Sequence, residues 1–198
     1  MPMTLELRCR CGKVRGTVDV RRAYARATCY CGDCQAYARH LGTSGVMDAH
    51  GGTDIVAMNP DAVTFTAGEE HISGLCLQEG GPLRWYAGCC RTPLGNTPRD
   101  GKVAYVGIVS TCLPDKVAVD AACGPPGRIV LNAGSALDDV RSTPLAMATG
   151  GLRIAAGILM AKLRGQVPSL FFDAGGQPHR TAHPLGPQER ASARLESA

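Results

Sequence analysis

The chain has 198 residues, of which 44% are apolar and 19% are charged, a composition typical of a globular protein and not of a disordered one. Its formal net charge of +4 comes without a stripe of basic residues interleaved with aromatic ones, which argues against a nucleic-acid-binding protein. This length accommodates one domain with a core, or one domain plus a modest appendage.

The first half of the sequence predicts short strands separated by turns. Apolar and polar residues alternate in several segments, and the continuous apolar run VAYVGIV at 103–109 is typical of a buried strand. A short helix is predicted over Asp33–His40. The predicted strands are Thr4–Arg10, Lys13–Val20, Asp54–Met58, Val63–Ala67, His71–Leu77, Leu83–Tyr86 and Val103–Val109.

The second half lacks this pattern of short strands. Leu113–Arg128 is rich in proline and ends in Gly-Pro-Pro-Gly, which indicates a linker or long loop. Pro144–Gly165 follows the helical period, with Pro144 suited to the first turn. We expect its apolar stripe to be buried, against the rest of the chain or against a second copy; the stripe consists of Leu145, Leu152, Ala155, Leu159 and Leu163.

A last strand is predicted at Ser169–Asp173, and the polar tail from Gln188 is expected to fray. These patterns divide the chain into a first domain, 1–112, and a C-terminal extension, 113–198, packed on it.

The chain termini and apolar segments predict a cytoplasmic protein without a membrane partner. The N-terminal residues MPMTLELRCRCG lack the apolar segment and cleavage site of a secretory signal. The most apolar stretch, Leu152–Leu163, includes Arg153 and Lys162 and is too short to span a bilayer.

Ten cysteines are unusual in a chain expected in a reducing compartment, where clustered thiols more often bind metals or catalyse reactions than form disulfides. Seven of them fall in three clusters. Thiolates are preferred zinc ligands, and a glycine after Cys11 or Cys31 eases the turn that brings two thiols to one ion. The clusters are Cys9 and Cys11, then Cys29, Cys31 and Cys34, then Cys89 and Cys90.

The three motifs, CRCG at 9–12, CYCGDC at 29–34 and AGCCRTPL at 87–94, resemble those of the glutathione-dependent formaldehyde-activating enzyme family, which includes centromere-protein-V-type proteins. The resemblance covers roughly residues 4–110. It implies a mainly β fold, a β-tent of small twisted antiparallel sheets that holds zinc.

The resemblance also implies two metal sites. The first and third clusters would close a structural zinc site. The triplet of Cys29, Cys31 and Cys34 would hold a second zinc ion with its fourth position reserved for water or a substrate thiol.

The third motif departs from the family pattern. The family's first cysteine of that motif falls on Ala87, its second on Cys90, and its glycine on Arg91. Cys9, Cys11 and Cys90 are therefore the matched ligands, and Cys89 is a candidate fourth ligand only if the backbone is unusual. The alternatives are a distorted site, or a cysteine-rich core patch without metal. The chain would thus hold one zinc ion or two.

Two functions from different classes remain open. The chain is either an enzyme with carbon–sulfur lyase-type chemistry on a glutathione-like thiol adduct, or a non-catalytic zinc-binding module for a protein partner. A homodimer is compatible with both. A thiol-redox role for Cys89 and Cys90 is the weaker alternative, because a vicinal disulfide is strained. We assign no ligand among the histidines and expect Asp33 to be a turn residue.

Overall fold

The computed structural model describes residues 4–165 and 170–195. Within these ranges the chain is mainly β, with a long C-terminal helix, and the predicted fold class is confirmed. The strands are β1 Thr4–Arg8, β2 Arg15–Asp19, β3 Ala23–Cys29, β4 Thr53–Met58, β5 Val63–Ala67, β6 Ile72–Cys76, β7 Leu83–Ala87, β8 Thr92–Thr97, β9 Val106–Val109, β10 Val130–Leu131 and β11 Ala182–Pro184. The helices are α1 Gly32–Leu41, α2 Lys116–Cys123, α3 Pro144–Leu163 and α4 Pro187–Leu195.

The strands form two sheets. The smaller has three strands in the order β1-β2-β5, all antiparallel. The larger has eight, in the order β10-β3-β4-β9-β8-β7-β6-β11. Its interior pairs are antiparallel, but β10 pairs with β3 and β11 pairs with β6 in parallel. The predicted extension therefore supplies both edge strands of the larger sheet.

The main core contains apolar side chains of both sheets, because alternate residues along each strand point to the same side. Leu7 and Val18 of the smaller sheet belong to one buried cluster with Val56 and Ile108 of the larger. Trp85 is fully buried in this cluster, where its ring stacks on Phe171 at 4.6 Å between centroids. Trp85 also donates a hydrogen bond from Nε1 to Thr97 Oγ1.

Two long strands of the larger sheet, β3 and β8, were not predicted from the sequence. β8 includes Pro93, which cannot donate a ladder hydrogen bond. The structure accommodates Pro93 because β8 pairs with β9 only at Gly95 and Asn96, and because the β7–β8 register shifts between Trp85 and Tyr86.

The loop predicted over Leu113–Arg128 includes helix α2, so that part of the prediction is wrong. Asp115 caps the helix by accepting a hydrogen bond from the Ala118 backbone N–H. The buried Arg26 guanidinium fixes the helix to the sheet: it binds both carboxylate oxygens of Asp54 on β4 and Oδ1 of Asp120 on α2.

Helix α3 forms where it is predicted but turns the opposite face to the protein. Small residues Gly150, Gly157 and Ala161 face the sheet, where Gly150 meets Ile129 and Gly157 meets the Tyr24 ring. The four leucines of the predicted stripe are between 57% and 79% exposed. The prediction that the stripe packs against the first domain is therefore wrong. The space beneath the helix admits only small side chains.

The C-terminal residues also differ from the prediction. Of the strand predicted at Ser169–Asp173, Ser169 lies outside the described residues, and Phe172 forms only an isolated bridge with Pro178. Residues 188–195 of the tail expected to fray belong to α4, in which Ala193 is buried against α1. Residues 196–198 lie outside the described ranges.

Candidate metal centres

The first centre joins two turns from different sheets, and we call it the four-sulfur centre: Cys9, Cys11, Cys89 and Cys90. The first two cysteines lie in the turn between β1 and β2, and the other two lie in the turn between β7 and β8. Arg10 ties the turns together, since its backbone N–H donates to Thr92 Oγ1 at 3.0 Å. The smaller sheet is thus connected to the larger one at this point.

The sulfur atoms of this centre have the spacing of a metal site. Sγ–Sγ distances are 3.5 Å for Cys9–Cys11, 3.9 Å for Cys9–Cys89, 3.4 Å for Cys11–Cys89 and 3.9 Å for Cys89–Cys90. Four sulfurs placed tetrahedrally about 2.3 Å from one zinc ion lie about 3.8 Å apart. The centre could therefore hold a tetrahedral metal ion with little rearrangement.

The backbone around the vicinal pair explains how Cys89 reaches the other sulfurs. Ala87 is buried at the end of β7, and its carbonyl accepts hydrogen bonds from the N–H groups of Cys90 and Arg91. Arg91 adopts a left-handed conformation with φ of 56°, which few non-glycine residues adopt. This tight turn brings Cys89 to the other sulfurs, so Cys89 supplies the fourth sulfur of the centre, while position 87 lies in β7.

The thiols of the four-sulfur centre differ in acidity. Burial raises the pKa of Cys9 and raises the pKa of Cys89 to about 12, with hydrogen bonds to neighbouring thiols adding to the effect at Cys89. Burial also acts to raise the pKa of Cys90, but hydrogen bonds from Thr92 and from the Cys11 and Thr92 backbones outweigh it and lower the pKa to about 6. Among these thiols, Cys90 is therefore the one whose surroundings favour the thiolate.

The second centre is the triplet of Cys29, Cys31 and Cys34, whose sulfurs also lie within 4.8 Å of one another. Cys29 is the last residue of β3, and Cys34 lies in the first turn of α1. Cys31 is the N-cap of α1: its Sγ accepts from the Cys34 backbone N–H at 3.4 Å. A helix N-terminus stabilises an anion, so the local fold favours a thiolate at Cys31.

Two residues distant in sequence complete the triplet. Arg84 on β7 is 6% exposed and donates from Nη1 to Cys34 Sγ at 3.6 Å, while its Nε is buried without a hydrogen-bond partner. Asn132, beyond β10, donates from Nδ2 to Cys29 Sγ at 3.4 Å. The triplet therefore combines three sulfurs with one buried cation.

The pKa values of the triplet thiols shift in opposite directions. Hydrogen bonds with Cys29 and Cys34 lower the pKa of Cys31, to which Arg84 and the Cys34 backbone also contribute. The same contacts raise the pKa of Cys34, with burial adding to the effect. Cys31 is also the most accessible of the three, because Cys29 and Cys34 are buried. A ligand from solvent therefore meets the triplet on the side of Cys31.

The structure brings together all seven cysteines of the predicted clusters, in two groups. The remaining three, Cys76, Cys112 and Cys123, lie apart from both groups. In the described ranges, no histidine or carboxylate joins either group of potential ligands. Asp33 lies in the first turn of α1 and faces Arg194 at 3.3 Å.

Arg84 and Asn132 were not predicted as site residues. A single arginine within the otherwise apolar strand LRWYA was a usable signal, because a buried charge needs a partner. Asn132 carries no comparable signal, since it reaches Cys29 only through the parallel pairing of β10 with β3.

Comparison with known proteins places these centres in a family. The profile of DUF6151, described as a family of unknown function, matches residues 1–148. The chain belongs to the DUF6151 family. The matched part includes both cysteine centres, Arg84 and Asn132, and ends within α3.

Other comparisons add little to this DUF6151 member. No curated protein matches its sequence. The crystal structure of a Rhodobacter sphaeroides protein is similar over 56% of this chain and 89% of the other, with 16% identity and a TM-score of 0.42.

Proposed function

We propose that the protein binds two zinc ions with different roles. The four-sulfur centre holds a structural ion, and the triplet holds an ion whose fourth position takes a small thiol or thiol adduct. The observation that carries the proposal is the contrast in donors: four sulfurs meet at tetrahedral spacing in one centre, whereas the other offers three sulfurs and a guanidinium.

Arg84 supports an anionic fourth ligand. Three thiolates and one zinc ion carry a net charge of −1, and the buried guanidinium compensates it. With the guanidinium the site is neutral, so a fourth thiolate brings its net charge only to −1. This small net charge lowers the free-energy cost of burying the fourth thiolate. Electron-rich thiolate ligands also make zinc a weak Lewis acid, and this favours thiol exchange over hydrolysis.

The resemblance to the formaldehyde-activating family suggests the reaction. The substrate thiol adds through sulfur to the carbonyl carbon of a small aldehyde; a carbon–sulfur bond forms and the thiol proton is transferred to the carbonyl oxygen. The reverse step releases thiol and aldehyde. A bound zinc ion would lower the pKa of the incoming thiol. Arg84 orients the cysteines and compensates charge, and a glutathione-like thiol in the cytoplasm is the class of substrate that fits.

A second candidate function is a non-catalytic zinc module that binds a partner. It is favoured by the exposed leucines of α3, which belong to neither metal centre. Under this proposal the triplet ion serves the fold alone, and its fourth position is filled by the chain or by water that thiols do not displace.

Cobalt substitution separates the two. We expect about two metal equivalents per chain in protein purified without added metal, and a shift of the cobalt ligand-field bands when glutathione is added. Cys34→Ser should abolish the shift, whereas Cys76→Ser, outside both centres, should preserve it. A spectrum that no thiol perturbs would refute the enzyme proposal and favour the interaction module.

A further inference from the structure

Helix α3 presents a concentrated apolar surface to solvent. Of the eight large hydrophobic side chains that are exposed in the described ranges, six belong to this one helix. They are Leu145, Met147, Leu152, Leu159, Met160 and Leu163. Large exposed apolar patches usually mark an interaction site, whereas scattered single residues do not.

The geometry of α3 fixes this surface in place. Its small residues face β3, and the leucines at 145, 152 and 159 recur every seven residues on the opposite side. At the start of the helix, Thr143 Oγ1 accepts a hydrogen bond from the Val130 backbone N–H at 2.8 Å. The helix therefore lies along the protein with its leucine stripe outward.

The segment that contains α3 carries an excess of basic residues. Residues 141–165 contain four of the 21 basic residues and none of the 17 acidic ones, so the remaining chain carries 17 of each and no net charge. The formal net charge of +4 thus belongs to this segment. Its basic residues are Arg141, Arg153, Lys162 and Arg164.

Basic side chains also line two clefts along one flank of α3, one beside its first half and one beside its second. A cleft of about 450 Å³ is lined by Arg21, Arg128 and Arg153, together with Asp120, which pairs with the buried Arg26. A smaller one of about 250 Å³ is lined by Arg22 and Arg164. An apolar stripe bordered by basic clefts matches a surface of acyl chains beneath anionic headgroups.

We propose that α3 docks the protein on an anionic lipid surface, with its leucine stripe in the boundary between headgroups and acyl chains. A second copy fits less well, because it would bring two such basic segments together. By length and composition α3 could also cross a membrane, but its small-residue face is packed on the sheet, so it lies on the surface. This inference is independent of the metal centres and differs from the expectation of no membrane partner.

Co-sedimentation of the full chain with vesicles tests the proposal. We expect binding to phosphatidylcholine vesicles that contain phosphatidylglycerol, weaker binding to phosphatidylcholine alone, and release by high salt or an alkaline carbonate wash. Each basic residue at an anionic surface contributes about five-fold in affinity, so Arg153→Gln with Lys162→Gln should weaken binding about 25-fold. Leu152→Ser with Leu159→Ser should weaken vesicle binding at any salt concentration, because it removes apolar contact and no charge.

A matched control is Lys102→Gln with Arg180→Gln, which removes the same charge from exposed positions outside the helix and should retain binding. Thermal unfolding and metal content should be equal in all variants. The proposal is overturned if wild type binds neither vesicle, binds both equally, or resists the carbonate wash. The proposal is also overturned if the wild-type chain is a dimer and the leucine variant, alone among the variants, is a monomer.

Discussion

The two cysteine centres use the same donor atom for opposite structural purposes. In the four-sulfur centre, pairs of thiols come from turns 78 to 80 residues apart, and no position is left for another ligand. In the triplet, all three thiols come from one strand–helix junction, and the two further side chains that reach their sulfurs, Asn132 and Arg84, do so as hydrogen-bond donors. One centre closes the fold across two sheets, and the other remains open beside a rigid helix end.

From this comparison we expect the origin of the ligands along the chain, rather than their chemical type, to separate the roles of the two centres. A site assembled from distant turns forms only when the whole fold forms, so metal binding there contributes to folding stability. A site on one local junction exists before metal binds, so loss of its metal ion should leave the fold intact. Four substitutions test this distinction, and the expected effects fall from one to the next.

Cys9→Ser should have the largest effect, because it removes a ligand that links the sheets. Structural zinc sites contribute about 10–16 kcal/mol, which matches or exceeds the whole stability of a domain, about 5–15 kcal/mol. We expect insoluble or unfolded protein, measured by circular dichroism and thermal unfolding. Cys123→Ser, at a cysteine outside both centres, is the matched control. A soluble Cys9→Ser protein with unchanged metal content would remove the distinction between the centres.

Cys34→Ser should have an intermediate effect. The triplet should lose its ion while the four-sulfur centre keeps its own, so elemental analysis should fall from about two equivalents to about one. The melting temperature should drop by far less than in the Cys9→Ser protein, because α1 keeps its cap at Cys31. Loss of both ions together would show that the centres fold as one unit.

Arg84→Met should weaken metal binding at the triplet without abolishing it. A hydrogen bond to a charged group contributes about 1.5–3 kcal/mol, which corresponds to roughly 10- to 100-fold in affinity. The metal-free protein should be no less stable, since methionine leaves no unpaired buried Nε. Arg84→Lys should retain much of the affinity by keeping the charge. A metal competition assay on the three proteins measures the difference, and equal affinities would exclude a role for the guanidinium.

Asp33→Asn should have the smallest effect. Asp33 lies between the triplet cysteines but faces Arg194 across partly exposed side chains, and such ion pairs contribute about 0.2–1 kcal/mol. Metal content and the cobalt spectrum should stay unchanged, and stability should fall only slightly at low salt. A change in the spectrum would show that the carboxylate takes part in the triplet's chemistry after all.

Close cysteine spacing predicted the three clusters, and the resemblance to the formaldehyde-activating family predicted that the first and the third would meet, as the structure places them. The role of Cys89 stayed open, since its turn depends on the left-handed backbone at Arg91, where the sequence offers no glycine. Sequence reasoning could not find Asn132, which reaches the triplet through a two-residue parallel pairing. Contacts of this kind are decided by tertiary packing and leave no local pattern.

The fold shows the same division. Most antiparallel strands of the first half were predictable from alternation, but β3 was missed and β8 was hidden by Pro93 and Gly95. The helical period predicted α3 correctly, but the prediction of which face is buried was wrong. Small residues can approach a sheet more closely than leucines. Periodicity identifies two faces of a helix, and only the shape of the neighbouring surface decides which one is buried.

The parallel edge strands have a consequence for synthesis on the ribosome. β3 and β6 are made early, but their outer edges stay unpaired until β10 at 130–131 and β11 at 182–184 emerge. Unpaired edges are templates for aggregation, and a nascent chain that waits for distant partners exposes them for longer. We therefore expect the newly made chain to depend on chaperones until residues 182–184 have left the exit tunnel, even if the mature protein is stable without them.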